Sequence, residues 1–597
     1  MNSVKVEVEE FDRRHSRLFA SGAPVLRAIS PLAEGVDRLF AEAALGLKYE
    51  LCCPMPFYQA EFEDDFSTAQ GLEPDSLNRF RGLLARAERE TSLRRFEMDG
   101  DRANSGEAYR ACGHVVVNQS DLLLVVWDGE RLEKVGGTEE TFDEARHKGV
   151  PIVWIDAHAP HAWELVDVAT PFRSPTGGSR FTPEPGEYVQ KLRGAVRQAL
   201  ELPKPKVPTH AGAKPPVTTI DDFYAEQKRR VNPALLWKSF RDVVGDWRWP
   251  GVEFRVPDFE ASVEGEWPRD QASAHGRVID WLRPFYAWPD KLAVGYSDIY
   301  RSAFVLAYLL AGLAVGTALL PLAFGWNVFE LHAEETVFVA VELLLIVVIL
   351  LIIWRGRRRK WHERWIDYRL AAELVRHLRL GAPLGSGRPF PQVPAQWASY
   401  GDPGSTWMAW YVRAVERDLG LPAARLDVPH VSACVADLAN VLEGQVKYHR
   451  LSADRSHRIE KRLHRFGLTL LSLTMAACAA HLLFGVGDFG TPAPWVLGSL
   501  IFLAGFLPAL GAAVAGISNQ GEFRRLAKRS DAMWARMKDL KAIADALEKR
   551  IRSTPRDPTV PGASREAAGL ALSAAQLMVN EVLDWRVVFL DQPLKPS

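Results

Sequence analysis

The most constraining feature of the sequence is an unbroken apolar segment, Thr336–Trp354, in which Glu342 is the only charged residue. Roughly 20 apolar residues in a helix, rising about 1.5 Å each, cross the hydrocarbon core of a bilayer. The segment is followed at once by the cationic run RGRRRK at residues 355–360, which cannot enter lipid. The segment therefore predicts a transmembrane helix.

Three further segments have the same character, and the four form two hairpins. The predicted spans are Ala303–Gly325, Thr336–Trp354, Gly467–Val486 and Trp495–Ile517. The turns inside the hairpins, residues 327–335 and 487–494, contain no Lys or Arg, whereas the other flanks are rich in both. The positive-inside rule then places both turns outside and both termini in the cytoplasm. The alternative, four buried helices of a soluble protein, does not explain this sorting of the cations.

Overall charge and cysteine content restrict the partners and the compartment. The 597 residues carry a formal charge of −1, and the cations gather beside the spans, so no nucleic-acid surface is indicated. The charged segment Met1–Phe19 lacks the apolar core of a signal peptide, so we expect none ahead of the cytoplasmic part. The five cysteines show no metal or disulfide spacing, and we expect them to be small apolar residues in a reducing compartment: Cys52, Cys53, Cys112, Cys434 and Cys478.

Composition divides the chain into seven parts. Residues 201–218 are rich in Pro and small residues, as expected of a semi-extended linker. The predicted parts are an α/β domain at 1–200, this linker at 201–218, a helical connector at 219–299, a first hairpin with a basic helix at 300–380, a cytoplasmic helical region at 381–466, a second hairpin with a basic helix at 467–550 and a helical tail at 551–597.

Short apolar runs alternate with helical patterns in the first 200 residues. The predicted strands are Val25–Ser30, Tyr49–Cys53, Asp121–Trp127 and Val150–Ile155. This alternation predicts an α/β Rossmann-like fold with a parallel, doubly wound sheet. Glycine bends at 30–35 and 136–138 each open a helix, where free backbone N–H groups at the carboxyl ends of the strands favour an anion. Glycines that merely make turns are the alternative.

The segments SPLAEGVDR at 30–38, SDLLLVVWDG at 120–129 and Gly136-Gly-Thr138 with its following helix resemble the SLOG superfamily. This Rossmann-like superfamily includes cytokinin-activating phosphoribohydrolases and sensors of nucleotide-derived signals in bacterial anti-phage systems. The resemblance covers about residues 20–160. It implies a ligand pocket lined by Ser30, Glu34, Gly35, Asp37, Arg38, Trp127, Asp128, Gly136, Gly137, Thr138 and Thr141. Arg38 is then the counter-charge to a phosphate, unless it forms a helix-surface ion pair with Asp37 or Glu42.

The chain departs from this superfamily in two places. No apolar strand precedes Val25, and the hydrolase signature Gly-Gly-x-Gly-Thr-x-x-Glu lacks its third glycine here, so that Glu140 and Glu144 match poorly. The resemblance therefore favours binding over hydrolysis, with a cyclic nucleotide or an ADP-ribose-derived signal as ligand and no cofactor, metal or catalytic residue. A membrane-anchored nucleotide or NAD N-glycosidic hydrolase remains the alternative.

A basic helix follows each hairpin, at Trp361–Arg376 and at Gln520–Trp534. Together with Glu581–Trp585, these helices resemble SLATT domains, which are two-span effector units often found beside SLOG domains. The combined resemblance implies a multi-pass protein of the bacterial inner membrane. Such a protein would bind a nucleotide-derived messenger, form homo-oligomers and permeabilise the bilayer in anti-phage defence of the CBASS or Thoeris kind.

Three residues within the predicted spans are candidates for helix packing or pore lining. Gly312 and Gly316 form a small-xxx-small face, which suits helix packing within one chain as well as oligomerisation. Glu342 lies near the bilayer midplane, where an ionised carboxylate is costly, so it should face other helices or water. Pore lining, a structural hydrogen bond and a protonated carboxyl all satisfy this requirement.

Overall fold

The chain folds into an α/β head and a set of long helices. The computed structural model describes residues 1–67, 75–131, 134–161, 163–166, 185–203, 218–228, 234–249, 251, 255–324, 333–387, 403–486, 493–553 and 562–590.

The strands are short and the later helices are long. The strands are β1 (Arg27–Ile29), β2 (Glu50–Met55), β3 (Leu93–Glu97), β4 (Leu123–Trp127), β5 (Ile152–Asp156), β6 (Trp163–Val166) and β7 (Ala424–Arg425). The helices are α1 (Asn2–Arg14), α2 (Val36–Gly46), α3 (Gln59–Phe62), α4 (Ser76–Glu90), α5 (Ser105–Gln119), α6 (Thr138–His147), α7 (Pro185–Leu200), α8 (Ile220–Tyr224), α9 (Leu235–Phe240), α10 (Phe259–Val263), α11 (Ala274–Phe324), α12 (Ala333–Arg358), α13 (Trp361–Gly381), α14 (Trp407–Leu419), α15 (Val428–Val486), α16 (Pro494–Gly521), α17 (Phe523–Ser553) and α18 (Ala563–Leu590).

The head contains two sheets among the described residues. The first is parallel, in the order β1-β2-β3-β7, and the second has the order β4-β5-β6, with β6 antiparallel to β5. All four strands predicted from the sequence are present, as β1, β2, β4 and β5. The single doubly wound sheet that we expected is divided, because β1 and β4 end their own sheets and do not pair with each other.

The fourth strand of the parallel sheet comes from a distant part of the chain. In β7, Ala424 pairs with Phe96 and Arg425 with Glu97. The region 381–466 was predicted to be helical, and this two-residue strand is an exception to that prediction. It lies three residues before α15, so a short connection joins the head to a helix that contains a candidate span.

The amino-terminal segment is a helix rather than a strand. α1 packs along α7, and its Glu7 side chain is fully buried. Arg197 donates to the Glu7 Oε1 atom from Nε at 3.0 Å and from Nη2 at 2.8 Å. Among the described residues, β1 is therefore the first strand of the parallel sheet.

Four helical segments of the described chain are long and apolar enough to cross a membrane, and they overlap the four segments predicted from the sequence. Two of the spans belong to much longer helices. α11 has 51 residues and α15 has 59, which correspond to roughly 75 and 90 Å. These helices therefore extend far beyond the apolar segments. Most of the predicted linker and of both hairpin turns lies outside the described residues.

The first and fourth spans approach closely at small residues. A Cβ atom added at Gly312 would lie 3.7 Å from the Ala513 Cβ, and one at Gly316 only 2.8 Å from Phe506 Cε2. Packing within one chain thus accounts for this glycine face, which was one of its two interpretations. Glu342 lies partly exposed on α12, outside these contacts.

The basic helix after the first hairpin is buried rather than solvated. Nearly every residue of α13 from Trp365 onward is buried among the long helices. Its charges are paired: Arg376 Nη1 donates to Glu373 Oε1 at 2.8 Å, and Arg369 Nη1 donates to Asp290 Oδ1 at 2.7 Å. Buried charges need such partners. The Glu373–Arg376 pair lies within α13, whereas the Arg369–Asp290 pair joins α13 to α11.

Candidate ligand-binding site

A cavity of about 580 Å³ lies between β1 and β4, where the two sheets of the head fail to join. Its volume falls within the range of about 300–1,000 Å³ that is usual for small-molecule sites. Helices α1 and α7 cover it. Aliphatic side chains form most of its wall, among them Val4, Val8, Ile29, Leu124, Val153, Leu192 and Val196.

Charged residues of α14 form one end of this cavity. Arg413 Nη2 donates to Asp121 Oδ1 at 2.8 Å, and Arg417 Nε donates to Asp121 Oδ2 at 2.9 Å. Arg413 also pairs with Glu416 in its own helix. Because Asp121 lies two residues before β4, this cluster ties α14 to the second sheet.

The charge on Asp121 is strongly favoured. Burial alone would raise its pKa, but Arg413 and Arg417 outweigh burial and hold the pKa of this carboxyl well below its usual range. Arg27 adds a contact from the other sheet, because its Nη2 donates to the carbonyl of Asp418 at 3.3 Å. α14 therefore bridges the two sheets at the mouth of the gap between them.

The first predicted glycine bend, at residues 30–35, also contributes to the wall of the cavity. Ser30, Pro31, Val36 and Asp37 line it. The Ser30 hydroxyl donates to the Asp37 carbonyl at 3.2 Å and accepts from the Leu32 N–H at 3.2 Å. Burial raises the pKa of Asp37 to about 6. Two of the predicted ligand-binding residues, Ser30 and Asp37, are thus brought to the cavity.

Arg38 faces away from this cavity and is fully buried. Its Nε donates to the Leu32 carbonyl at 3.2 Å, and its Nη1 donates to the Ser76 carbonyl at 2.9 Å and hydroxyl at 2.8 Å. The guanidinium also lies 4.5 Å from the centre of the Phe66 ring. In this position Arg38 joins α2 to the start of α4.

The second predicted glycine bend is occupied by the protein itself. Gly136 has a φ of 75°, and its N–H donates to Glu140 Oε2 at 2.8 Å. Arg110 pairs with the other oxygen of Glu140. The Thr141 hydroxyl donates to the Gly137 carbonyl at 3.2 Å. An internal carboxylate therefore takes the place at the start of α6 that we predicted for a ligand anion.

The remaining predicted residues lie outside the cavity wall. Trp127 is buried against Phe142, and its Nε1 donates to the Glu130 carbonyl at 3.2 Å. Asp128 is exposed and accepts from the Glu130 N–H at 3.0 Å. The residues that the structure places away from the lining also include Glu34, Gly35, Gly137 and Thr138.

The carboxyl ends of β2 and β3 hold another part of the protein. A space of only about 90 Å³ remains there, beside the first residues of α18. Asp99 is buried and accepts from the Ser564 N–H at 3.0 Å and from the Ser564 hydroxyl. Burial raises the pKa of Asp99 in spite of these bonds. The sheet edge that usually receives a ligand is here taken by the carboxy-terminal helix.

Sequence reasoning missed the α14 residues of the site. Arg413, Glu416 and Arg417 show the i, i+3 and i+4 spacing of one helix face, which is the only local signal that they carry. Nothing in the sequence relates that face to Asp121, almost 300 residues earlier. No protein-family model, curated protein or solved structure matches this chain.

Proposed function

We propose that the protein is a membrane effector controlled by a small molecule bound in the cavity between β1 and β4. The observation that carries this proposal is the position of α14. This helix forms one end of the cavity and is followed by β7 and then by α15, which contains the third predicted span. A ligand in the cavity would therefore touch an element that leads directly to the membrane.

The ligand class that fits both the cavity and the SLOG resemblance is a nucleotide-derived messenger, either a cyclic nucleotide or an ADP-ribose derivative. The aliphatic walls suit a nucleobase, and the guanidinium groups of Arg413 and Arg417 suit a phosphate. Both arginines are already paired with Asp121. A bound phosphate would have to compete with this carboxylate.

That competition supplies a switch. If a ligand phosphate replaced Asp121 as the partner of both Arg413 and Arg417, α14 would lose its two ion pairs with Asp121. The ligand would then bind the detached arrangement more tightly than the attached one, which is the condition for shifting a population. The distance from the start of α15 to its span is roughly 60 Å of continuous helix, so a movement at α14 can reach the bilayer.

The output that we propose follows from the SLATT resemblance and from the four spans. Chains would assemble as homo-oligomers in the bacterial inner membrane, with both termini cytoplasmic, and would permeabilise the bilayer in anti-phage defence. The cytoplasmic position of the head places the cavity where an intracellular messenger can enter it. The cations beside the spans support this orientation.

Dye release from liposomes that contain the full-length protein tests the proposal. Cyclic nucleotides and ADP-ribose derivatives would first be screened for a rise in the thermal unfolding midpoint. An active compound should release dye with the wild type but not with Leu124→Trp, because this substitution fills the cavity. Leu572→Trp, at an exposed site on α18, is the control and should respond normally.

Asp121→Asn tests the switch separately. Because the neutral amide holds Arg413 and Arg417 less strongly, this variant should release dye without any ligand. If no compound stabilises the protein, and liposomes with Asp121→Asn release no more dye than those with the wild type, the proposal fails.

One observation supports a second candidate, the membrane-anchored nucleotide or NAD hydrolase. Asp37 lines the cavity, and its pKa of about 6 is suited to general acid or base catalysis near neutral pH. Incubation of the full-length protein with NAD and nucleotides, followed by chromatography for released base, distinguishes the two functions. A hydrolase would release base and lose this activity in Asp37→Asn, whereas a pure sensor would leave every compound intact.

A further inference from the structure

A second large groove lies between α15 and α16, at the ends of the third and fourth spans that are remote from their connecting turn. Its volume is about 800 Å³. Leu468, Leu471, Leu507 and Val514 belong to its apolar wall. This groove is separate from the head cavity, and nothing in the proposed function depends on it.

Two glycines keep the groove open. Gly467 of α15 and Gly511 of α16 both line it, and a Cβ atom added at either would meet nothing within 4 Å. The space next to these helices is therefore unfilled by protein on both sides. Because the surrounding segments are the predicted spans, the natural contents of such a space are hydrocarbon chains.

The rim of the groove carries both signs of charge just beyond the ends of the spans. Arg524 Nε lies 4.0 Å from Glu460 Oε1, and Arg525 Nη1 lies 3.2 Å from Glu522 Oε1. The two arginine side chains are 75% and 69% exposed. Because solvent screens these arginines, the ion pairs contribute little stability, and a ligand that offers both charges can replace them.

We propose that this groove binds an aminophospholipid such as phosphatidylethanolamine. The phosphodiester would accept hydrogen bonds from Arg524 and Arg525, and the primary ammonium would donate to Glu460 and Glu522. One acyl chain would lie along Gly467 and Gly511. An inorganic anion would leave the apolar wall uncovered, and an anionic lipid without an amine would offer the two carboxylates no cation in place of the arginines.

The test uses the full-length protein in mild detergent, with lipid retention measured by native mass spectrometry. Phosphatidylethanolamine, phosphatidylcholine and phosphatidylglycerol are supplied in equal amounts. The wild type should retain the first lipid preferentially, because the trimethylammonium of phosphatidylcholine cannot donate a hydrogen bond. Gly511→Leu should lose the retained lipid, whereas Gly444→Leu, at an exposed and uncrowded site on the same long helix as Gly467, should keep it.

Substitution of the rim provides a second route that leaves the helix contacts unchanged. Arg524→Ala with Arg525→Ala should weaken retention about tenfold or more, the change expected for the loss of a charge-assisted hydrogen bond. Arg552→Ala, at another exposed arginine of α17, is the matched control. Glu460→Gln with Glu522→Gln should remove the preference over phosphatidylglycerol. Equal retention of the three lipids by the wild type, or unchanged retention in Gly511→Leu and in the double arginine variant, would overturn the proposal.

Discussion

The buried carboxylate of Asp99 accepts from both the backbone N–H and the hydroxyl of Ser564, 465 residues later in the chain. The N–H of Gly562 also donates to the Asp99 carbonyl at 3.0 Å. These bonds fix the start of α18 at the carboxyl end of β3. An acidic group at a helix amino terminus satisfies free N–H groups and favours the helix dipole. Helix α18 is thus anchored in the head.

Ser564→Ala tests this anchor. The substitution removes the hydroxyl donor and leaves one buried carboxylate oxygen with one hydrogen bond fewer, at a cost of about 1–3 kcal/mol. Backbone amides in the first turns of α18 should therefore exchange with deuterium faster than in the wild type. Ser573→Ala is the control, because that exposed hydroxyl donates only to Gly569 in its own helix. Equal exchange in all three proteins would contradict the anchoring role.

Arg38→Lys should destabilise the head. A lysine lacks the planar fork that reaches both the Leu32 carbonyl and Ser76, so at least one buried acceptor would lose its partner. We expect a loss of roughly 2–4 kcal/mol, seen as a lower thermal unfolding midpoint. Arg79→Lys, in a half-exposed pair with Glu42, should change the midpoint little. If Arg38→Lys instead weakened ligand binding at unchanged stability, the result would indicate that Arg38 is a phosphate ligand.

Gly136→Ala and Gly149→Ala form a matched pair at two positive-φ glycines. The two sites have similar φ values, 75° and 70°. A Cβ atom at Gly136 would lie only 2.5 Å from the Gly106 carbonyl oxygen, whereas one at Gly149 would meet nothing within 4 Å. Gly149→Ala should cost about 1–2 kcal/mol of backbone strain. Gly136→Ala should cost clearly more, which the two unfolding midpoints would show.

Local signals made the spans and four strands predictable from the sequence. Apolar runs such as Asp121–Trp127 predict buried strands whatever surrounds them. β3 was missed because Leu93-Arg-Arg-Phe-Glu97 places charged residues at three of its five positions. β7 has only two residues, and it exists because Phe96 and Glu97 offer it a partner from another part of the chain.

The candidate site was predictable only in part, for a related reason. The bend after β1 was found, and its Ser30 and Asp37 line the cavity. The charge of Arg38 suggests a phosphate ligand, but the direction of its side chain depends on α4, which covers that face of α2. The end of the cavity that α14 forms depends on contacts between residues almost 300 positions apart in the sequence, and no local pattern predicts such contacts.

The stability of the helical part should depend on pH through buried histidines such as His449. This side chain is 1% exposed, and burial lowers its pKa to about 4. Glu373 raises the pKa, whereas Arg529 and Arg369 lower it further. Its Nε2 lies 3.5 Å from Glu581 Oε2. Because the folded pKa is below the unfolded value of about 6.5, the unfolded chain binds the proton more readily.

The free energy of unfolding should therefore be fully retained above pH 6.5 and should fall as the pH decreases toward 4. One such group contributes at most roughly 1.4 kcal/mol per pH unit in this interval. Thermal unfolding midpoints measured from pH 7 to pH 4.5 should fall less steeply in His449→Gln than in the wild type, because glutamine cannot be protonated. Buried His377, whose pKa is also lowered to about 4 by burial, keeps part of the slope. His457→Gln, at an exposed position of the same helix, should follow the wild-type curve. If the midpoint of His449→Gln falls as steeply as that of the wild type, His449 is not the source of the pH dependence.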